Sequence, residues 1–216
     1  MTSEAPIPRP GHRIEWIVWS ALVLTVLAIM VAFVWTRMMD SGLRRPLNVL
    51  GQVPDFTLTN QFGQPVSRSN LLGQVWVADV IFTRCPVSCE RMTQRMKALA
   101  NDVPARQPVK FVSLTADPGY DTPPILKAYA EARGLDQSRW HLLTGFKRDV
   151  YRLSIDGLKF TVLDNDQKTD PNDLFIHSTT FVLVDKQGNI RASFEGTDDE
   201  DRKQLLLAVK KLAKER

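Results

Sequence analysis

The sequence predicts a mixed α/β domain behind a single N-terminal transmembrane helix, and three observations carry that prediction. Residues 16–35, WIVWSALVLTVLAIMVAFVW, run uncharged for 20 positions. From about residue 49 onward, apolar runs of strand length alternate with segments of helical periodicity, the pattern of strand–helix–strand units. The chain's 2 cysteines, both in the stretch IFTRCPVSCERM, fall where the first fully apolar strand gives way to a helix. A length of 216 residues, with 44% hydrophobic and 24% charged residues, suits one globular domain plus an apolar appendage.

Taken in order, the appendage comes first. At about 1.5 Å per residue, the uncharged run spans roughly 30 Å, the thickness of a bilayer's hydrocarbon core. Trp16, Trp19 and Trp35 sit at its two ends, where indole rings favour the headgroup region. No face of the run is polar, which argues against a helix buried in a soluble core. It is also too long for the apolar part of a cleaved signal peptide, and no small-residue cleavage site follows it. Flanking positive charges nearly balance, with Arg9 and Arg13 before and Arg37, Arg44 and Arg45 after, so charge alone does not orient the anchor. The chain then divides into a tail at 1–13, a transmembrane anchor at 14–36, a polar linker at 37–48 and a domain at 49–216. A net charge of +4 with intermixed signs and no basic stripe argues against nucleic-acid binding.

Within the domain, VPDFTLTNQFGQPVSRS alternates around Gly63 and predicts a hairpin. The apolar run VWVADVIFT at 75–83 predicts a central strand covered on both faces. Met92, Met96 and Leu99 mark the core face of a helix over 87–101, and VKFVSLTAD predicts the next strand. A helix follows from Thr122 to Gly134, capped by Thr122 or Asp121 and opened by Pro123 and Pro124; Asp117 and Asp121 are expected to cap turns and this helix. A helix over 147–155 and a strand from Gly157 to about Leu163 come next, then a polar loop at 164–173. TTFVLVDKQGNIRASFEG predicts a hairpin turning at Lys186 to Asn189. The last helix opens with Asp198, Asp199, Glu200 and Asp201 and closes with Lys210, Lys211 and Lys214, matching its dipole at both ends.

This order is that of a thioredoxin-like α/β domain with an N-terminal β-hairpin extension. In that fold the loop before the strand TTFVLVD lies against the start of the cysteine helix, so His177 is expected to face Cys85 and Cys89. Two residues four apart on a helix lie one turn up the same face, so both sulfurs can point at one atom. A helix start also favours thiolates. Soft thiolate ligands select Cu(I) or zinc, and a single added His leaves three protein ligands, too few for a closed structural zinc site. Copper is the better expectation.

These residues carry a resemblance to the Sco/SenC family of membrane-anchored copper chaperones. It rests on FTRCPVSC, SLTADPGYDTPPILKAYAEARG at 113–134, LLTG at 142–145 and IHSTTFVLVDKQG at 176–188. The resemblance implies that Cys85, Cys89 and His177 bind copper, as Cu(I) or Cu(II). It also implies that the chain helps mature the binuclear copper centre of cytochrome c oxidase, with that oxidase's copper-bearing subunit and other copper chaperones as partners. It orients the anchor with the tail cytoplasmic and the domain outside, in a bacterial inner membrane facing the periplasm rather than in a mitochondrial one. Two positions depart from the family: Glu90 stands where a second proline is frequent, and Ile176 precedes His177 where an aspartate is usual, with Asp173 the nearest acid upstream.

The alternative is a thiol-disulfide oxidoreductase using a redox disulfide between Cys85 and Cys89, whose expected Cα separation falls within the ~4.4–6.8 Å that such bonds accept. Dedicated dithiol enzymes place two residues between their cysteines, where this chain has three. They also carry a cis-proline before the late strand, where this chain has Ser178 and Thr179. No threonine lies three residues before either cysteine to serve a peroxidase. Met92 and Met96 are expected in the core, and His12 and His141 receive no role.

Overall fold

The computed structural model describes residues 12–39, 42–43, 47–85, 88–164 and 175–215. The chain forms two compact units, residues 1–44 and 45–216. In the first, helix α1 spans His12–Met39. Its stretch Ile14–Trp35 is long and apolar enough to cross a membrane, and every side chain in that stretch is exposed.

The second unit is built on an eight-stranded sheet. Short β1 (Gly51–Gln52) precedes a hairpin of β2 (Thr57–Asn60) and β3 (Pro65–Ser67), which pair antiparallel as the alternation predicts. A single turn, α2 (Arg68–Leu71), leads into β4 (Val75–Ile81), whose seven residues are all buried because both sheet faces are covered there. Helix α3 (Ser88–Asp102) and β5 (Val109–Thr115) complete the first strand–helix–strand unit; α4 (Pro123–Ala132) and β6 (Trp140–Thr144) complete a second. β4, β5 and β6 are parallel neighbours. Both crossovers step the same way across the sheet, so right-handed connection puts α3 and α4 on one face. The Thr93 and Tyr129 hydroxyls meet between those helices at 2.8 Å. β9 (Thr180–Val184) and β10 (Asn189–Glu195) form the late hairpin beside β4, and α6 (Asp199–Lys214) closes the chain. The strand order is β1-β10-β9-β4-β5-β6-β2-β3. Met92, Met96 and Leu99 are fully buried core residues, as their spacing predicts. The Asp198 side chain caps α6 by accepting from the Asp201 N–H.

Three expectations need correction. The helix over 147–155 is α5 (Lys147–Tyr151) followed by a π-helical segment, Arg152–Gly157. The wider turn lets Leu158 N–H reach the Leu153 carbonyl at 2.8 Å while Leu153 and Leu158 both bury. It also consumes residues expected in a strand, so β7 spans only Val162–Asp164 and pairs with β8 (Phe175–His177) in a separate two-stranded sheet. The segment before β9 is thus partly a strand where a loop is expected. The third correction concerns α4, where Thr122 holds the N-cap position with no side-chain cap bond, while Asp121 and Asp117 turn their carboxylates elsewhere.

Candidate functional site

Parallel β4 and β5 end at the same edge of the sheet, and the loops leaving them lie side by side. Cys85 ends the described part of the loop after β4, and Cys89 sits in the first turn of α3. Both are buried thiols not joined in a disulfide, Cys85 with 6% exposure and Cys89 with none. The Cys89 N–H donates to Cys85 Sγ at 3.4 Å, and the Phe82 N–H donates to Cys89 Sγ at 3.4 Å. The Ser88 hydroxyl lies 3.1 Å from Cys85 Sγ. Backbone amides therefore face both sulfurs, which suits negative charge there.

The expectation that a helix start favours thiolates does not hold for Cys89 without a cation. Hydrogen bonding with Cys85 pushes its thiol pKa far up, burial and the neighbouring Cys85 charge push further, and Asp79 on β4 adds to them. The Phe82 amide opposes this and loses. The Cys85 hydrogen bond and desolvation together outweigh the Phe82 amide. Such a thiol gives up its proton when a cation arrives to compensate the charge, so binding would release protons.

Sequence reasoning missed what holds the cysteine loop. Asp121, fully buried, accepts from the Thr83 N–H at 3.1 Å, from the Thr83 hydroxyl and from the Thr115 hydroxyl. Asp117 pairs with Arg84, whose guanidinium lies 4.3 Å from the Tyr120 ring centroid. The two aspartates of the DPGYD stretch thus moor the residues just before Cys85. The signal that could have found them is their place at the carboxyl end of the strand beside β4, since adjacent parallel strands end together.

Glu90, the departure from proline, ties the first turn of α3 to the end of α4. It accepts from Arg133 Nε at 2.7 Å, while that guanidinium lies 3.6 Å from the Tyr129 ring centroid. Gln94 donates to Glu90 as well, at 2.9 Å.

The structure brings Cys85 and Cys89 together. For His177 it gives the backbone, in β8 opposite Val162; its side chain, that of Ile176, and the loop containing Asp173 lie outside the described residues. The chain just beyond it is described: Ser178 N–H donates to Thr161, and Gly196 N–H donates to the Thr179 carbonyl at 2.7 Å. A Cβ on Gly196 would collide with Met92 Sδ and stand 2.6 Å from the Thr179 carbonyl oxygen. Thr179 therefore passes beside the second turn of α3, one turn beyond Cys89. Among the described residues, no group of three His, Cys, Asp or Glu is arranged around one point. His141 is half-buried on β6, and burial, then Lys110, lowers its pKa.

The family model for SCO1/SenC matches residues 48–214. An SCO1 protein homolog of Bacillus subtilis is 32% identical over 170 residues, covering 78% of this chain and 85% of that protein. A Stutzerimonas stutzeri protein provisionally named for copper binding is 32% identical over 142 residues, covering 64% and 67%. The solved structure of BsSco, described as a member of the Sco family of cytochrome c oxidase assembly proteins with a disulfide switch, superposes with a TM-score of 0.68 at 30% identity. That match covers 80% of this chain and 98% of BsSco. The sheet order, the cysteine pair at the start of α3 and a match running from the first strand to the last helix lead to one assignment: this chain is a member of the SCO1/SenC family, with a thioredoxin-like fold.

Proposed function

We propose that this chain is a membrane-tethered copper chaperone that binds Cu(I) through Cys85, Cys89 and His177 and assists maturation of the binuclear copper centre of cytochrome c oxidase. The observation that carries the reading is the thiol pair, with the Cys89 amide on the Cys85 sulfur at 3.4 Å. Two adjacent soft ligands with backbone donors facing them match Cu(I). The family, the copper-binding name of one relative and the oxidase-assembly description of another support the same reading. Copper here is cargo. The chain's own work is to give up the thiol protons, to offer an imidazole from the β8 end, and to exclude water around Cys89. Residues 14–36 would form the tether and 37–48 the linker, with the domain on the periplasmic side of a bacterial inner membrane. The oxidase's copper-bearing subunit and other copper chaperones would be the partners.

An anaerobic Cu(I) titration of the full chain against a competing chelator tests the site. Cys85→Ser or Cys89→Ser should abolish tight binding, and His177→Ala should weaken it while the domain stays folded. Affinity unchanged by either cysteine substitution would sink the reading. A C-terminal alkaline phosphatase fusion tests orientation, with activity expected in bacterial cells.

The disulfide switch described for BsSco favours a second reading, in which Cys85 and Cys89 exchange two electrons with a client dithiol. Turnover in a disulfide-reduction assay without copper binding would promote it.

A further inference from the structure

The edge of the sheet opposite the cysteine loop carries a different surface. β4 starts there, just after the Gly73 N–H donates to the Lys186 carbonyl at 2.8 Å. The chain also enters the domain there: the Leu47 carbonyl accepts from Arg191 Nε at 3.0 Å and Nη2 at 2.6 Å, and Arg191 pairs with Asp185 at 2.9 Å and Glu215 at 3.7 Å. Helix α6 ends at the same place, since Lys186 donates to the Ala213 carbonyl at 3.0 Å and to that of Glu215. On α6, Lys203, Leu207, Lys210, Lys211 and Lys214 recur at helical spacing on the side away from buried Leu205, Ala208, Val209 and Leu212. Glu200, paired with Lys203, is the last acid on that stripe before Glu215. The neighbouring carboxylates are taken by arginines, Asp55 by Arg68 and Asp102 by Arg202. Among the described residues, Lys210, Lys211 and Lys214 pair with no carboxylate. Leu207 is exposed between them and Lys203.

We propose that this basic edge docks on an anionic lipid surface, with Lys210, Lys211 and Lys214 on the headgroup phosphates and Leu207 entering the interface. Lysines in a last helical turn often serve only the helix dipole. Here Lys186 already satisfies the terminal carbonyls of α6, and three lysines remain in excess. The sequence adds Arg44 and Arg45 against Asp40 in the tether, and Arg216 after Glu215. Together these cations fall in the range of about 4–8 basic residues that recruit anionic headgroups. Covalent reach keeps them near the bilayer: residues 40–47, at about 3.3–3.6 Å each, limit Leu47 to roughly 30 Å from Met39 whatever angle the two units take. A protein partner is the competing occupant, and composition argues against it. Protein interfaces favour aromatic residues and arginine and are depleted in lysine, whereas the unpaired groups on α6 are lysines beside a leucine, as on a helix that lies on a bilayer. With this edge on the lipid, the far end of β4 and the cysteines after it face away from it. The inference rests on the reading of residues 14–36 as a membrane anchor.

The test places the full chain in nanodiscs of phosphatidylcholine, alone or mixed with phosphatidylglycerol. Acetylation of each lysine by a neutral reagent is timed by mass spectrometry. Lys210, Lys211 and Lys214 should react about fivefold more slowly in the anionic discs at low salt and recover at high salt, because salt screens the headgroup charge. Lys127 on α4 should react alike in both. Lys211→Glu/Lys214→Glu should abolish the slowing at Lys210, and Lys211→Gln/Lys214→Gln should reduce it. Both positions are exposed, so the domain stays folded. The Cu(I) titration, unchanged in these variants, reads the metal site separately. Retention of the chain in both kinds of disc reads the anchor separately, so its failure and that of the docking are distinguishable. A chain that enters neither disc would overturn the anchor and this proposal together. Equal rates in the two lipids, equal slowing of Lys127, slowing that survives the charge reversal, or slowing that appears only when the soluble copper-bearing domain of the oxidase subunit is added would each overturn the proposal alone.

Discussion

The two flanks of the cysteine turn are held by different physics. Upstream of Cys85, the mooring is buried: Asp121 has no exposure and gathers three hydrogen bonds from Thr83 and Thr115. Downstream of Cys89, the mooring is an ion pair at the surface, Glu90 with Arg133, where the Glu90 side chain is 38% exposed. Buried acceptors leave costly orphans when removed, while exposed pairs trade one set of water contacts for another. The upstream flank should therefore behave as rigid scaffold and the downstream flank as an adjustable tie.

The comparison can be broken most severely at Asp121. Asp121→Ala strands both threonine hydroxyls and one amide, and should cost about 3 kcal/mol by denaturant unfolding. A cost under ~1 kcal/mol would show that water replaces the carboxylate and that the upstream flank is looser than described. Next comes Gly196→Ala, where the new Cβ meets a backbone carbonyl and the Met92 sulfur. Overpacking of this kind should cost about 2 kcal/mol, and because Thr179 follows His177 closely, Cu(I) affinity should fall with it. Unchanged stability would mean that the hairpin shifts freely against α3. Smallest is Glu90→Gln, at most about 1 kcal/mol, with Arg133→Gln matching it and the double variant adding little.

Acidity sharpens the contrast, because the two carboxylates carry opposite signs. Burial raises the Asp121 pKa against the pull of its hydroxyl and amide donors. Between its unfolded value, about 3.9, and its higher folded value, the native state holds the extra proton, so this group's contribution falls as pH rises through that window. Gln94 and Arg133 lower the Glu90 pKa against a smaller desolvation cost. Its contribution is present above the unfolded value near 4.3 and is lost as pH falls toward the folded one. Stability profiles over pH 3–6 should tilt one way in Asp121→Asn and the other in Glu90→Gln; parallel tilts would refute the assignment.

How much of this was legible in the sequence follows the range of the forces involved. The β2–β3 hairpin, the apolar β4, the Met92–Met96 face of α3 and the charged ends of α6 are written in local periodicity and were read from it. The fold register and the meeting of Cys85 with Cys89 followed from those elements. The π-helical segment was not legible, because RLSIDG differs from an ordinary helix only in how Leu153 and Leu158 are drawn to the core. Nor was the role of Asp121: next to Thr122 and two prolines it has the local signature of a cap, and only the parallel pairing of β4 with β5 brings Thr83 within its reach. Glu90 reads as a missing proline until α4 places Arg133 beside it, 43 residues away.

The unequal burial of the two sulfurs has a consequence for the order of events at the site. A molecule approaching from solvent can touch Cys85 while Cys89 stays closed off beneath it. If cargo passes through this pair as proposed, the outer sulfur would make the first bond with an incoming group and the last with a departing one.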